Sequence, residues 1–360
     1  MVEGPQHRRI WTCVELGIAF ATGFAAFALT GMAIVWVVAG IIGGWGVLRY
    51  ARAQRTQVLP NRSIRTTGQV LVGGALGPGL AVQDFSDTGA MSLLVVLSVV
   101  VILISSVCVA RLYALWSGLD RLTAGLATLP GGLAIMPSVA IDHGRDPTLV
   151  ALVQAARLSA VIFSIALIAP IFTETHSLPK STLLQTPLSA SGWLFWIGTL
   201  AVAPLAFLAA RRLNVPVAAL LGPMAGSFLV TVAVRAVGVE PAVLQIPFSQ
   251  EALGQVLLGL TVGEYMAQKT RVTRRALIGG FASVLTTFAI AAAVAGLIYL
   301  TTDLSFMTSL LMVAPGGAPE MVVVAVAVDA DLHLVVLSQT LRQIAVNSLM
   351  PLWIKWLSPR

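Results

Sequence analysis

Residues 315–346 read PGGAPEMVVVAVAVDADLHLVVLSQTLRQIAV, and residues 130–161 read PGGLAIMPSVAIDHGRDPTLVALVQAARLSAV. The two align without a gap at an offset of 185 and agree at 14 of 32 positions. Pro130-Gly131-Gly132 matches Pro315-Gly316-Gly317, Met136 matches Met321, Asp146 matches Asp331, Gln154 matches Gln339, and Arg157 matches Arg342. A second pair lies upstream. Gly68-Gln69-Val70-Leu71 with Gly73 and Gly77 answers Gly254-Gln255-Val256-Leu257 with Gly259 and Gly263, at an offset of 186. The chain reads as two copies of one unit, and a repeat constrains a fold more than any single motif. The expected organisation is a first membrane repeat over 1–172, a linker loop over 173–190 and a second repeat over 191–360.

Composition fixes the solvent. Of 360 residues, 57% are apolar and only 10% charged, and the mean hydropathy is +0.90. Soluble domains carry about 25% charged residues. The chain is expected to be an all-α polytopic membrane protein, since a lone segment in lipid must satisfy its own backbone. The net charge of +7 fits the gathering of Lys and Arg in cytoplasmic loops, and no soluble segment is long enough for a nucleic-acid-binding domain. Cys13 and Cys108 sit inside apolar runs and make no disulfide framework or metal motif. His7, His143, His176 and His333 are scattered, so no metal site or cofactor is expected. The apolar run from Ile10 to Tyr50 is too long for a cleaved signal peptide and reads as an uncleaved hairpin.

Ten spans of about 20 residues are expected, at 10–29, 31–50, 66–82, 89–110, 147–172, 191–210, 215–235, 251–267, 276–300 and 333–356. Two segments remain, at 117–142 and 304–329, each broken near its middle by Pro-Gly-Gly. Proline removes a backbone donor and clashes with the preceding turn, so neither is one continuous helix. Each either crosses as a discontinuous helix or enters and returns as a re-entrant hairpin. With the N-terminus inside and both re-entrant, 18 of the 22 Lys and Arg are cytoplasmic, two are outside and two lie within spans. If both cross, the tally is 13 to 7. The positive-inside rule favours re-entrance. Five crossings per copy then turn the second repeat upside down, with both termini cytoplasmic and the two breaks entering from opposite faces. Inverted repeats with broken helices at the midplane are an architecture of secondary transporters.

The segments Leu129-Pro130-Gly131-Gly132 and Ala314-Pro315-Gly316-Gly317-Ala318-Pro319-Glu320-Met321, each followed by Gln-x-x-Arg, resemble the AbrB duplication family of bacterial membrane proteins. Leu221-Gly222-Pro223-Met224 also resembles that family's motif. Members are labelled "ammonia monooxygenase" or "AbrB family transcriptional regulator", and are similar to the cation/proton antiporter and anion transporter superfamily, which includes glutamate and citrate symporters with paired re-entrant loops. The resemblance implies a bacterial inner-membrane protein. The chain departs from the family pattern at Ile135, where an acid is common, and in the first repeat, where Leu29-Thr30-Gly31-Met32 stands for Leu-Gly-Pro-Met. The oxygenase label finds no His, Asp or Glu cluster able to hold copper or iron.

The candidate substrate and ion residues follow from the breaks. Pro130, Gly131, Gly132, Pro315, Gly316 and Gly317 end half-helices in mid-membrane, where free carbonyls hold cations and free amides hold anions. Thr123 and Thr308 stand seven residues before each break, placed to re-satisfy freed carbonyls or to line the site. Gln154 with Arg157, and Gln339 with Arg342, share a helix face. Two readings stand for the arginines: a clamp on an anion, or a brace on the broken-helix carbonyls. Glu320 is the one acid within five residues after either break, and an intramembrane acid often marks a proton relay. Gln69, Gly73, Gly77, Gln255, Gly259 and Gly263 have small-xxx-small spacing for close helix packing, leaving the two glutamines free to bond a neighbouring break. Asp146 and Asp331 precede spans and read as N-caps. The expected function is secondary transport of a small solute, with an anion allowed, coupled to H+ or Na+. The alternative is a membrane-embedded regulatory or sensory protein that does not transport. An enzyme is not expected, and no Gly-x-x-x-x-Gly-Lys-[Ser/Thr] stretch exists to bind a nucleotide. Expected partners are lipid, the solute and its coupling ion, with no nucleic acid; a homo-oligomer is left open.

Overall fold

A computed structural model describes residues 5–54, 61–81, 88–130, 135–172, 189–215, 217–239, 244, 246–268 and 273–357. Those residues form helices joined by short turns: α1 Pro5–Thr30, α2 Val35–Ala53, α3 Arg62–Ala81, α4 Thr88–Ser117, α5 Arg121–Thr128, α6 Ile135–Asp142, α7 Pro147–Phe172, α8 Ala190–Arg212, α9 Ala218–Ala236, α10 Phe248–Met266, α11 Arg274–Thr301, α12 Phe306–Val313, α13 Ala318–Ala327, α14 Leu332–Ser348 and α15 Met350–Leu357. The protein is an all-α polytopic membrane protein. Among the described residues, six helices are long and apolar enough to cross a bilayer: α1, α4, α7, α8, α9 and α11.

Four other expected spans, α2, α3, α10 and α14, fall short on hydropathy or length. The reason is packing. A helix surrounded by protein need not be apolar all round, and α10 buries its face from Phe248 to Glu264 almost without interruption. The tenth span departs from a single helix over 333–356. Leu349 ends α14, and α15 restarts at Met350 with Pro351 in its first turn, the position proline tolerates best.

The chain folds into two compact units. Unit 1 comprises Met1–Phe85 and Thr175–Glu264; unit 2 comprises Ser86–Glu174 and Tyr265–Arg360. Each unit therefore draws one segment from each half of the sequence.

Unit 1 is held by close backbone approach. A Cβ built on Gly73 of α3 would collide with the Leu220 carbonyl oxygen of α9, and one on Gly77 with Ser227 and the Met224 carbonyl. The same collisions recur between α10 and α2: Gly259 meets the Val37 carbonyl and Gly263 the Ile41 carbonyl. Glycine alone permits this spacing. The contacts also correct a register. Val37 and Ile41 play toward α10 the part that Leu220 and Met224 play toward α3, so Val38–Ile41 is the counterpart of Leu221-Gly222-Pro223-Met224. Leu29 and Thr30 instead end α1, and Gly31, at φ 69°, turns the chain.

Unit 2 holds the broken segments. Each is a helical hairpin. Asp120 caps α5, and its carboxylate pairs with Arg145, just beyond α6, at 3.5 Å. In the second hairpin, Thr308 in the first turn of α12 donates its hydroxyl to Asp331, just beyond α13, at 3.2 Å. It also accepts the Asp331 backbone N–H at 3.0 Å. Both segments thus return to the place from which they set out. A straight crossing would separate those ends by the full length of both half-helices.

Candidate functional site

Each hairpin turns for a local reason. The residues before the prolines, Leu129 and Ala314, have ψ of 137° and 131°. Pre-proline residues are pushed to such extended conformations, so α5 and α12 stop there. Stopping strands carbonyls at both C-termini, in a core where water is not at hand.

The second hairpin shows how these carbonyls are met. Gln339 donates to the Leu311 carbonyl at 2.6 Å and the Ala314 carbonyl at 3.4 Å. Ser338 donates to the Met312 carbonyl at 2.9 Å. Arg342 donates through one terminal nitrogen to Ala314 at 2.6 Å and through the other to Gly316 at 2.7 Å, and also to the Gln339 side-chain oxygen. Three residues of α14 thus close the end of α12. A cation at a helix C-terminus also offsets the macrodipole there.

The first hairpin repeats the scheme. Gln154 donates to Leu126 and Leu129, both at 2.8 Å. Arg157 donates to Thr128 at 2.6 Å and to the Gln154 side-chain oxygen at 2.6 Å. Leu126 and Leu129 are the repeat counterparts of Leu311 and Ala314. The terminal nitrogens of both arginines are therefore engaged in bracing the breaks. What stays open is the Nε edge: in both residues that atom is buried and has no hydrogen-bond partner among the described residues. Ser338 was not legible from the repeat, because its counterpart by offset is Val153.

Glu320 sits in the first turn of α13, three residues after its N-cap Gly317. Its carboxylate folds back over that cap: a Cβ built on Gly317 would collide with Glu320 Oε2. Only glycine at 317 leaves this room, and an acid at a helix N-terminus is favoured by the dipole. Met321 covers Gly316 in the same way. Pro130 is described, whereas Gly131 and Gly132 lie outside the described residues.

Several expected site residues are placed elsewhere. Thr123 donates its hydroxyl to Asp120 at 2.6 Å, and Thr308 bonds Asp331. Both stand at the hairpin mouths, a half-helix away from the breaks, and neither reaches a freed carbonyl. Asp146 caps α7, accepting from Thr148 and Leu149 at 2.8 and 3.2 Å. Asp331 departs from the N-cap reading, since its carboxylate serves the hairpin and makes no cap bond to α14. Gln69 and Gln255 belong to unit 1 with their glycine stripes, and the carbonyls at the breaks are met by glutamines of unit 2. Gln255 keeps a buried side-chain oxygen with no hydrogen-bond partner among the described residues.

Comparison with known proteins follows this geometry. The family model described as "Transition state regulatory protein AbrB" matches residues 36–358. A Bacillus subtilis (strain 168) protein named "Uncharacterized protein YhjN" is 32% identical over 358 residues, covering 93% of this chain and 90% of the relative. An Escherichia coli (strain K12) protein named "Putative regulator AbrB" is 26% identical over 342 residues, covering 93% and 92%.

Proposed function

The chain belongs to the AbrB family, and from that premise we propose that it is a secondary transporter moving a small solute across the bacterial cytoplasmic membrane by alternating access. The observation that carries this reading is the pair of hairpins, each with a first half-helix that stops before a proline and each braced by the same Gln-x-x-Arg on the following helix. Half-helices that end inside a membrane protein leave backbone groups where a solute can be bound without its water. Inverted repeats would open one hairpin toward each face, with both termini cytoplasmic, and so supply two gates to one site.

A gradient of H+ or Na+ supplies the energy in this reading, with Glu320 as the proton or cation ligand. No catalytic step is assigned to the chain. Its partners are lipid, the solute and the coupling ion, not nucleic acid. The test is uptake by purified protein in liposomes under an imposed proton or sodium gradient. Accumulation that collapses with the gradient supports the reading; a panel of small solutes with no gradient-driven uptake overturns it.

The names of the family and of the Escherichia coli relative favour a second reading, a membrane-embedded regulatory or sensory protein. Under it, deletion alters transcript levels, a solute binds the purified protein, and liposomes stay empty.

A further inference from the structure

The short helix α15 lies on the first hairpin. α14 braces the second break, and the chain then turns at Leu349 and continues as α15. The repeat counterpart does not turn. Ser164, Ile165 and Ala166 stand where Leu349, Met350 and Pro351 stand, and α7 runs unbroken from Pro147 to Phe172. Phe172 meets Phe306, the first residue of α12, with ring centroids 4.4 Å apart, and stays half exposed. Leu357 is its counterpart by offset, yet it is only 4% exposed. Leu357 fills a socket in α5: the three atoms nearest to a Cβ built on Gly125 all belong to Leu357, and its Cδ1 would collide. The second hairpin carries its own filler, because Leu310 stands at the position of Gly125 and is fully buried.

α15 is held there lightly. Trp353 and Leu357 are its buried residues, and they share one apolar core with Leu122, Leu126 and Leu129 of the first hairpin. A helix this short has little stability of its own, so those two side chains hold the whole element. Seating also has a cost. The Trp353 Nε1 donor is buried with no hydrogen-bond partner among the described residues, and a buried donor left unmet disfavours the buried state. Lifted away, that donor would bond water or a lipid head group, as interfacial tryptophans do.

Resting on the transport reading above, we propose that α15 is a releasable strap that holds the first hairpin shut. Seated, Leu357 supplies the side chain that α5 lacks at Gly125 and fixes α5 against the core. Lifted, it leaves that space empty, and the hairpin is free to part at its mouth. The Asp120–Arg145 pair at the mouth is about one-third exposed, and such pairs contribute little. The strap acts on one hairpin, since the second has Leu310 in place. In the transport reading the C-terminus and the first hairpin's mouth are both cytoplasmic. The strap then sets how often the site opens to the cytoplasm.

Backbone hydrogen exchange of the purified full-length protein in detergent, read by mass spectrometry, compares α5 with α12. Leu357→Ala should raise exchange in α5 by at least roughly tenfold and leave α12 as in the parent. Gly125→Ala should act in the same direction without touching α15, since the Leu357 side chain is what must move aside; it also serves if Leu357→Ala does not fold. The converse variant pins the strap. With Cys13 and Cys108 replaced, Gly125→Cys together with Leu357→Cys is placed to form a disulfide, because a Cβ on Gly125 stands 3.3 Å from Leu357 Cγ. The oxidised protein should exchange in α5 more slowly than the parent, and a reductant should reverse this. Pinning distinguishes a strap from static packing: a contact that never lifts gains nothing from being pinned. The proposal is overturned if the oxidised protein exchanges in α5 as the parent does, or if Leu357→Ala and Gly125→Ala raise α5 and α12 alike or change neither. None of these readouts depends on uptake. A strap that behaves so in a protein whose liposomes stay empty would sink transport and leave the strap standing. Gradient-driven uptake with α5 unchanged in every variant would sink the strap and leave transport standing.

Discussion

Gly68 and Gly254 face each other. A Cβ built on Gly68 would stand 3.1 Å from the carbonyl oxygen of Gly254, and one built on Gly254 would stand 3.3 Å from the carbonyl oxygen of Gly68. The two are the same position of the two repeats, 186 residues apart. Contact that is reciprocal between equivalent positions marks a local two-fold relation. The helices around the pair obey it: α3 meets α9 through Gly73 and Gly77, and α10 meets α2 through Gly259 and Gly263.

Equivalent substitutions in this packing should therefore do equivalent damage. Gly73→Leu drives a side chain into the Leu220 carbonyl, and Gly259→Leu drives one into the Val37 carbonyl. Backbone cannot swing aside as a flexible side chain can. Each should cost at least about 1–3 kcal/mol, the range for overpacking, read as a lowered melting temperature. Gly46→Ala is the control, since nothing lies within 4 Å of its Cβ, and it should melt with the parent. A Gly259→Leu variant that also melts with the parent would refute the close approach.

The hairpin mouths give a test of topology. His143 and Asp303 are exposed, the first just after α6 and the second just before α12. In the inverted arrangement they lie on opposite sides of the membrane. With Cys13 and Cys108 replaced, an impermeant thiol reagent on intact cells should label Asp303→Cys and spare His143→Cys. Labelling of both, or of His143→Cys alone, would rule out hairpins that open to opposite faces.

The arginines brace their breaks unequally, and the inequality is measurable. Arg342 serves Ala314, Gly316 and Gln339, whereas Arg157 serves Thr128 and Gln154. Lysine keeps the charge but loses the planar fork. Each lost bond to a charged group is worth about 1.5–3 kcal/mol. Arg342→Lys should lower the melting temperature more than Arg157→Lys, with both proteins still reaching the membrane. Equal losses would mean that the additional bond to Gly316 contributes nothing.

What the sequence disclosed here, and what it hid, divides by range. The six long apolar helices and the two breaks were legible because they rest on local chemistry: apolar runs, prolines, and the Gln-x-x-Arg spacing on one helix face. The hairpin mouths were not. Asp120 and Arg145, or Thr308 and Asp331, stand more than twenty residues apart, and their pairing exists only once the segment has doubled back. The hydroxyls of Thr123 and Thr308 bond at the mouths and not at freed carbonyls for that reason: seven residues from a break along the chain is a half-helix away in space. Charge counting favoured re-entrance without any of these contacts, because it sums over every loop. The counterpart of Leu221-Gly222-Pro223-Met224 was hidden by a shift of offset, 183 between α2 and α9 against 186 between α3 and α10. Ser338 was hidden because the first repeat has Val153 there.

Glu320 carries the most decisive substitution. Its carboxylate lies folded over Gly317 at the start of α13, one residue beyond the Gly316 carbonyl that Arg342 holds. It is the break's own acid, and the first break has none. If transport is driven by protons, this carboxyl is placed to carry one in with the solute and release it on the other side. Glu320→Gln keeps the shape and cannot titrate. In liposomes, the parent should accumulate solute under an inward proton gradient and lose that accumulation when the gradient is dissipated. The variant should still exchange labelled for unlabelled solute, but should not concentrate it in response to the gradient. A variant that accumulates solute as the parent does would remove Glu320 from the coupling step. A parent that responds to sodium and not to protons would make the same carboxylate a cation ligand, and Glu320→Gln should then lower its apparent affinity for sodium.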